Sequence, residues 1–462
     1  MLGSCFVFLV IARNKAIFPA DSYYTRKFTS FLAMTIITKN KSFSFPPPLY
    51  PSIPFSMRIG IISNLYPPNE RGGAELVANR VAHALSARGH EVSILTSKPF
   101  SGWKSFSPRC EEKHLERVYR FAPFNVYGIH GKTPTFFPVK LLWHMIDLLS
   151  PFSKSILHWW IVQEQPDVLI THNLKGIGLS LSRHIQEESI FHIRTLHDLQ
   201  LSVPSGLLIW GEEDSFLNRS FLRDWYERAV TWAIGKPNLM ISPSKFLIDA
   251  YHERGMFLDV PFKLLPNPAP SHFKTDYIER APSNRGTPGP IKLLFAGQLE
   301  SHKGILFLLE VLKKFSVPFE LHIAGDGSLR SLIEERCRQD KRLTYHGFVA
   351  FAQLTHLIAI ADTCIVPSLC YENSPTIIYE SFSIGVPVIA SNIGGIPELI
   401  SEGENGFLFE PGNIESCLAA LNQIVKTRID PDIIRTSAEK YSLKKYVDQI
   451  ESVILSSQTI NN

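Results

Sequence analysis

Residues 59–96 read IGIISNLYPPNERGGAELVANRVAHALSARGHEVSILT, and their pattern sets the fold class. Ile59 to Ser63 is a short, nearly continuous apolar run, as expected of a parallel strand buried on both faces. Val77, Val81, Ala84 and Leu85 then recur at helical spacing, and Gly89 supplies a stop. Glu91 to Thr96 is the next strand. Strand, helix and strand in this order make a βαβ unit and imply a parallel sheet. Gly72 and Gly73 fall in the loop after the first strand, where a chain without Cβ atoms can approach a ligand closely. They do not form GxGxxG, so a dinucleotide site is not implied, and a plain loop is the other reading.

The alternation continues outward from this unit. Asp167–Ile170, Ile190–Thr195, Leu239–Ser242 and Lys263–Leu265 read as further strands, and Val139–Val162 as one apolar helix carrying Trp143, Trp159 and Trp160. Residues 276–290 (DYIERAPSNRGTPGP) have linker composition. After them the pattern restarts with Ile291–Ala296, a helix from Lys303, and strands at Phe319–Ala324, near Tyr345, at Thr363–Pro367 and at Pro387–Ala390. The expected organisation is therefore α/β: a first domain over 57–275, a linker over 276–290, a second domain over 291–440, and a helix and tail over 441–462. Ligands in such chains bind where two halves face across a cleft.

Composition narrows the function. The 462 residues are 45% hydrophobic, as in ordinary globular proteins, and the net charge of +4 gives no reason to expect a nucleic-acid partner. Residues 1–56 hold six Lys/Arg and one Asp, a local +5, which leaves about −1 for the remainder. Their apolar run Leu2–Ala12 is too short to span a bilayer as a helix, and residues 39–56 are rich in Pro and Ser and read as disordered. The expectation is that the protein starts at Met57, with a membrane-associating extension as the alternative. Six scattered cysteines form no CxxC pair or zinc spacing, which fits reduced thiols in the cytoplasm.

The stretch Tyr371–Glu380, YENSPTIIYE, carries the chemistry. Ser374 suits an N-cap and Pro375 a first helical position, which would leave the amides of Thr376, Ile377 and Ile378 open to an anion. Glu380 lies roughly 9 Å along the axis from that cap at 1.5 Å per residue. A carboxylate repels phosphate but accepts hydrogen bonds from hydroxyls. Glu372 and Glu380 therefore read either as two hydroxyl acceptors around an anion site or as a paired acid and base. Lys303, at the turn into a helix after Gly297-Gln298, is a candidate phosphate clamp, because a lysine there opposes the helix dipole unless an anion is present. His197-Asp198 end a strand facing the expected cleft. Gly325-Asp326-Gly327 reads as a tight turn, and Gly394-Gly395 as a second loop of close approach.

Taken together these segments resemble glycosyltransferase family 4, over about residues 57–445. The resemblance rests on GQLESHKG at 297–304, AGDG at 324–327, HGF at 346–348, DTCIVPS at 362–368, YENSPTIIYESFSIGVPVIASNIGGIPE at 371–398 and GENGFLF at 403–409. YPPNERGGAE at 66–75 and TLHD at 195–198 add weaker support. It implies the GT-B fold, two Rossmann-like domains across a cleft, and a retaining transfer from a nucleotide-sugar to a hydroxyl in polysaccharide or glycolipid assembly, with no metal or other cofactor.

By position the resemblance implies that Lys303 neutralises the diphosphate and that Glu380 accepts the ribose hydroxyls. Glu372 would face the transferred sugar, and the helix start at Ser374, Pro375, Thr376 and Ile377 would hold phosphate. His197 would lie near the sugar, and Gly72 and Gly73 would close over the donor or acceptor. One departure stands out. Where the family often has Arg beside the clamp, this chain has Gln298. That opens the alternative of a catalytically impaired nucleotide-sugar-binding protein, unless Arg71 supplies charge from across the cleft. The partners implied are the donor and a carbohydrate or lipid-linked acceptor, with peripheral membrane contact at the inner face of the cell membrane suggested by the three tryptophans.

Overall fold

The computed structural model describes residues 56–69, 72–113, 115–131, 136–215, 218, 220–269 and 289–461. Residues 1–55, Arg71 and most of the expected linker lie outside the described residues. Two sheets organise the chain. The first contains β1 (Arg58–Ser63), β2 (Glu91–Ser97), β3 (Arg109–Lys113), β4 (Glu116–Phe121), β5 (Val168–Thr171), β6 (Phe191–Thr195), β7 (Leu239–Ser242) and β8 (Phe262–Leu264). Their spatial order is β3-β4-β2-β1-β5-β6-β7-β8, parallel except for the antiparallel β3–β4 pair. The second contains β9 (Ile291–Ala296), β10 (Phe319–Ala324), β11 (Leu343–Gly347), β12 (Thr363–Val366), β13 (Val388–Ser391) and β14 (Gly406–Phe409), in the order β11-β10-β9-β12-β13-β14.

Both sheets reverse direction of winding at one place, between β1 and β5 in the first and between β9 and β12 in the second. At such a switch point the loops leave to opposite faces and open a crevice beyond the strand ends. The segments after β1, β5, β9 and β12 therefore build the site. Helix α1 (Gly73–Ala87) follows β1 and buries Val77, Val81, Ala84 and Leu85, the stripe its spacing predicts. Helices α2 (Lys245–Glu253), α3 (Ile305–Lys314), α4 (Thr376–Ile384) and α5 (Leu443–Asn461) complete the framework used below.

Four features depart from the sequence reading. The hairpin β3–β4 was not expected, because RCEEK is a charged edge strand with no apolar period. The apolar helix over 139–162 is two helices, Phe137–Leu149 and Pro151–Glu164, broken at Ser150, whose φ is 24°. Pro151 cannot continue the first helix but fits the start of the second. Trp143 and Trp160 are buried in the core, and only Trp159 is substantially exposed, which removes the basis for membrane contact in two of the three tryptophans. Finally α5 follows the second domain in sequence but packs in the first. Leu443, Tyr446, Val447, Ile450 and Ile454 join the cluster around β1, β2 and α1. Arg88 on α1's C-cap holds Glu451 and Asp448 of α5, so charge pairing fixes its register. Among the described residues no helix is long and apolar enough to cross a membrane.

Candidate functional site

A cleft of about 1460 Å3 lies between the domains, lined by α1, the ends of β5, β6, β9 and β12, and α4. Gly72, Gly73, His197, Gln298, Lys303, Glu372, Ser374, Pro375, Thr376, Ile377 and Glu380 all line it. The sequence candidates thus come together in one place, although they span more than 300 positions of the chain.

The elements expected from the sequence to hold an anion meet at the centre. Gly73 opens α1 against Thr376, which opens α4: a Cβ on Gly73 would sit 3.1 Å from the Thr376 methyl. Two helix N-termini thus converge: α1 already carries the Glu75 carboxylate, whose Oε2 accepts from the Gly72 amide at 2.9 Å, whereas α4 has no acidic residue in its first turn and leaves its positive end to an external anion. The start of α4 is shifted by one residue from the expected position. Pro375 itself is the N-cap (φ −61°, ψ 122°), and the Ser374 hydroxyl bonds the Tyr379 hydroxyl instead of a helix amide. The Ile378 amide donates to the Pro375 carbonyl at 3.2 Å, so the amides of Thr376 and Ile377 are left open at the helix start.

Lys303 sits in a short 3₁₀ turn, Ser301–Lys303, one residue ahead of Gly304 and two ahead of α3, not inside the helix. Its Nζ meets Glu372 Oε1 at 2.5 Å, and the Ser368 hydroxyl donates to the same oxygen at 2.9 Å. Burial opposes charge on both partners, but their mutual attraction prevails, holding the Glu372 carboxyl below and the Lys303 ammonium above its ordinary range. Both bonds use Oε1, which leaves Oε2 for a ligand hydroxyl. Glu380 shows the same one-sided pairing: Arg80 Nη2 of α1 meets its Oε1 at 3.2 Å. Gln298 is exposed at the end of β9, beside the turn that carries Lys303.

Glycines hold these turns together. Gly325 has φ 139°, and a Cβ there would lie 1.8 Å from the Gly297 carbonyl oxygen, so the turn after β10 is a packing contact as well as part of the cleft wall. Gly394 and Gly395 are not among the residues that line the cleft. Their Cβ atoms would strike the carbonyls of Glu372 and Asn373 at 2.1 Å each, so they brace the back of the Tyr371–Ser374 loop.

His197 follows β6. Its Nε2 lies 2.8 Å from His172 Nδ1, with ring centroids 5.1 Å apart and planes inclined by 22°. A nitrogen contact that short at that centroid separation places the rings edge to edge, so one imidazole donates to the other. The His197 carbonyl accepts from Asn373 Nδ2 at 3.0 Å, which ties the YENSP loop to the first domain. The sequence reading missed His172, Asn373 and Arg80. His172 had a signal in its place just after a strand at the switch point. Arg80 had one in its helical spacing from Gly73 through Leu76.

Burial keeps these imidazoles neutral. His192, bonded to Thr171 Oγ1 at 2.8 Å, is pushed down to about 3 by burial and then by Arg194; His197 is likewise pushed to about 3, and His172 lies well below its ordinary value. In the unfolded chain they protonate near 6.5. The unfolded state therefore binds more protons between about pH 3 and 6.5, and stability is full above 6.5 and lost as pH falls through that window. Denaturant midpoints measured from pH 7.5 to 4.5 should fall, and His192→Gln should remove about one proton, roughly 1.4 kcal/mol per pH unit, from the slope. An unchanged slope would assign the acid sensitivity elsewhere.

Among the described residues no group of three His, Cys, Asp or Glu side chains is placed to hold a metal ion.

Residues 71–269 match the model described as Glycosyltransferase Family 4, and residues 290–427 match Glycosyl transferases group 1. An uncharacterized glycosyltransferase of Methanocaldococcus jannaschii is 24% identical over 400 residues, covering 84% of this chain and 94% of the relative. The glycogen synthase of Mycobacterium tuberculosis is 23% identical over 388 residues, covering 80% and 86%. Among solved structures, Anabaena HepE in complex with UDP and glucose superimposes with a TM-score of 0.62 at 19% identity, over 87% of this chain and 100% of that one. The two facing parallel-sheet domains are the GT-B fold.

Proposed function

We propose that this chain, which belongs to glycosyltransferase family 4, moves a sugar from a nucleoside-diphosphate donor to an acceptor hydroxyl with retention at the anomeric carbon. The observation that carries this reading is the convergence of the α1 and α4 N-termini beside Lys303, flanked by two carboxylates that each keep one oxygen unpaired. A diphosphate fits the positive centre, and sugar and ribose hydroxyls fit the two flanks. Relatives point the same way: HepE was solved with UDP and glucose, and the mycobacterial relative is a glycogen synthase.

In the proposed reaction the bond from the anomeric carbon to the diphosphate oxygen breaks, and a bond to the acceptor oxygen forms on the same face. The acceptor proton passes to the departing phosphate oxygen, so no dedicated base is required. Lys303 and the open amides of α4 stabilise the charge that develops there, an electrostatic contribution that a dry, closed cleft strengthens. Glu372 Oε2 orients the sugar, and His197 lies beside it. The reading uses no metal or further cofactor. The acceptor is a carbohydrate or a lipid-linked sugar, and described cysteines that form no disulfide suit a cytoplasmic reaction.

The test is a titration of nucleoside diphosphates into wild type and Glu380→Ala. A carboxylate accepting two hydroxyl bonds should be worth about a hundredfold in affinity, at roughly 1.5 kcal/mol per charge-assisted bond. Equal binding by the two proteins would refute the ribose assignment. Binding without transfer by wild type would favour an impaired donor-binding protein, with Gln298 as the first place to look.

A further inference from the structure

Arg80 reaches out of the first domain to a residue 300 positions away in the second. Its Nη2 lies 3.2 Å from Glu380 Oε1, and its Nη1 donates to the Pro268 carbonyl at 3.4 Å, on the strand of chain leaving the first domain. Both side chains are largely enclosed, with 15% of Arg80 and 5% of Glu380 exposed. Next to Pro268, Asn267 Nδ2 donates to the Ser374 carbonyl at 3.3 Å. The guanidinium thus joins α1, the crossover and α4 at one point on the cleft wall.

We propose that Arg80 is a positioning residue for the donor's ribose: by occupying Glu380 Oε1 it holds that carboxylate turned so that Oε2 receives the ribose hydroxyls. This rests on the function proposed above. Three physical needs meet in the one contact. A carboxylate this enclosed tends to take up a proton, and burial does push Glu380 upward while Arg80 opposes it. A protonated carboxyl would be a weaker acceptor, because charge-assisted bonds are about twice as strong as neutral ones. An unneutralised Glu380 would also repel the diphosphate bound at the start of its own helix. Because Arg80 belongs to the opposite domain, the ribose-binding carboxylate is complete only when α1 lies against α4. Ribose recognition is thereby coupled to the closed arrangement of the cleft.

The decisive measurement uses UDP, ADP and GDP, each beside its 2′,3′-dideoxy counterpart, titrated calorimetrically into the full-length protein. For the nucleotide that wild type binds most tightly, Arg80→Gln should weaken the ribo form about ten- to thirtyfold and the dideoxy form less than threefold. In a Glu380→Gln background, Arg80→Gln should add almost nothing. Arg80→Lys keeps a charge but cannot hold both Glu380 and Pro268, so it should lose about threefold on the ribo form alone; it carries the test if Arg80→Gln does not fold. Equal losses on ribo and dideoxy ligands, in either variant, would overturn the proposal and make Arg80 a plain domain tie or a diphosphate contact. No loss on either ligand would overturn it equally. If wild type binds none of the three nucleotides, the donor reading itself fails.

Discussion

Replacing Lys303 with Ala should reduce turnover by about a thousandfold, the largest single effect expected at this site. Removing one preorganised donor from a developing oxyanion costs about 10²–10³ in rate. Two features of this chain push the effect to the upper end. The first is Gln298, which lines the cleft beside the clamp but carries no charge, so among the described residues of that turn Lys303 supplies the cation that meets the site. The second is Glu372. Lys303 is its main counter-charge at 2.5 Å, and only the Ser368 hydroxyl would remain on that oxygen. An enclosed carboxylate that loses its cation either takes up a proton or repels the incoming diphosphate. The variant should therefore show both a lower kcat and weaker nucleotide binding. Adding Glu372→Gln to Lys303→Ala should restore part of the binding but little of the rate, which separates repulsion from lost leaving-group stabilisation. Steady-state rates and calorimetric titrations of the two variants check this. A Lys303→Ala enzyme within tenfold of wild type in kcat/KM would mean that the leaving group is stabilised elsewhere.

Much of this arrangement was legible in the sequence because it is local. The buried strands β1, β9, β12 and β13 announce themselves as apolar runs, and α1 by its 3.6-residue stripe. The candidate anion site was legible for the same reason: a loop, a proline and a helix start are neighbours in the chain. Its one-residue error is instructive. Ser374 has the chemistry of an N-cap, but its hydroxyl finds Tyr379, and Pro375 with ψ 122° is the residue that steps into the helix. A tertiary partner overrode a local preference.

What the sequence did not disclose is long-range pairing. The composition of α5 reveals an amphipathic helix but not that its apolar face belongs to the other domain. The contacts of Arg80 with Glu380, of Asn373 with His197 and of Glu398 with the first amides of α2 join residues 150 to 300 positions apart. The Glu398 contact caps a first-domain helix with a second-domain carboxylate: Oε1 and Oε2 accept from the amides of Phe246 and Lys245 at 2.7 and 2.8 Å. No spacing rule reaches across such distances. They become visible only when two switch points face each other.

Gly304→Ala should destabilise the second domain by about 2 to 5 kcal/mol and weaken nucleotide binding with it. Gly304 has φ 76°, in the left-handed region where an L-residue costs roughly 1–2 kcal/mol. Steric contact costs more. A Cβ at Gly304 would lie 1.7 Å from the carbonyl oxygen of Pro367 and 2.7 Å from its carbonyl carbon, and backbone cannot swing aside as a side chain tip would. Overpacking of this kind typically costs about 1–3 kcal/mol even after relaxation. The relaxation has a functional direction. Gly304 follows Lys303, and Pro367 precedes Ser368, so parting them moves the ammonium away from Glu372 and its supporting hydroxyl. Gly347→Ala is the matched control: its φ is 70°, but nothing lies within 4 Å of the added methyl. It should cost only about 1–2 kcal/mol, through the backbone alone. For a domain of this size each kcal/mol shifts Tm by roughly 2–4 °C, so Gly304→Ala should melt about 5–20 °C lower and Gly347→Ala within a few degrees of wild type. Calorimetric melting of the three proteins, paired with nucleotide titration, measures both effects. If the two variants melt together, the close approach of Gly304 to Pro367 contributes nothing beyond its backbone angle, and the clamp does not depend on it.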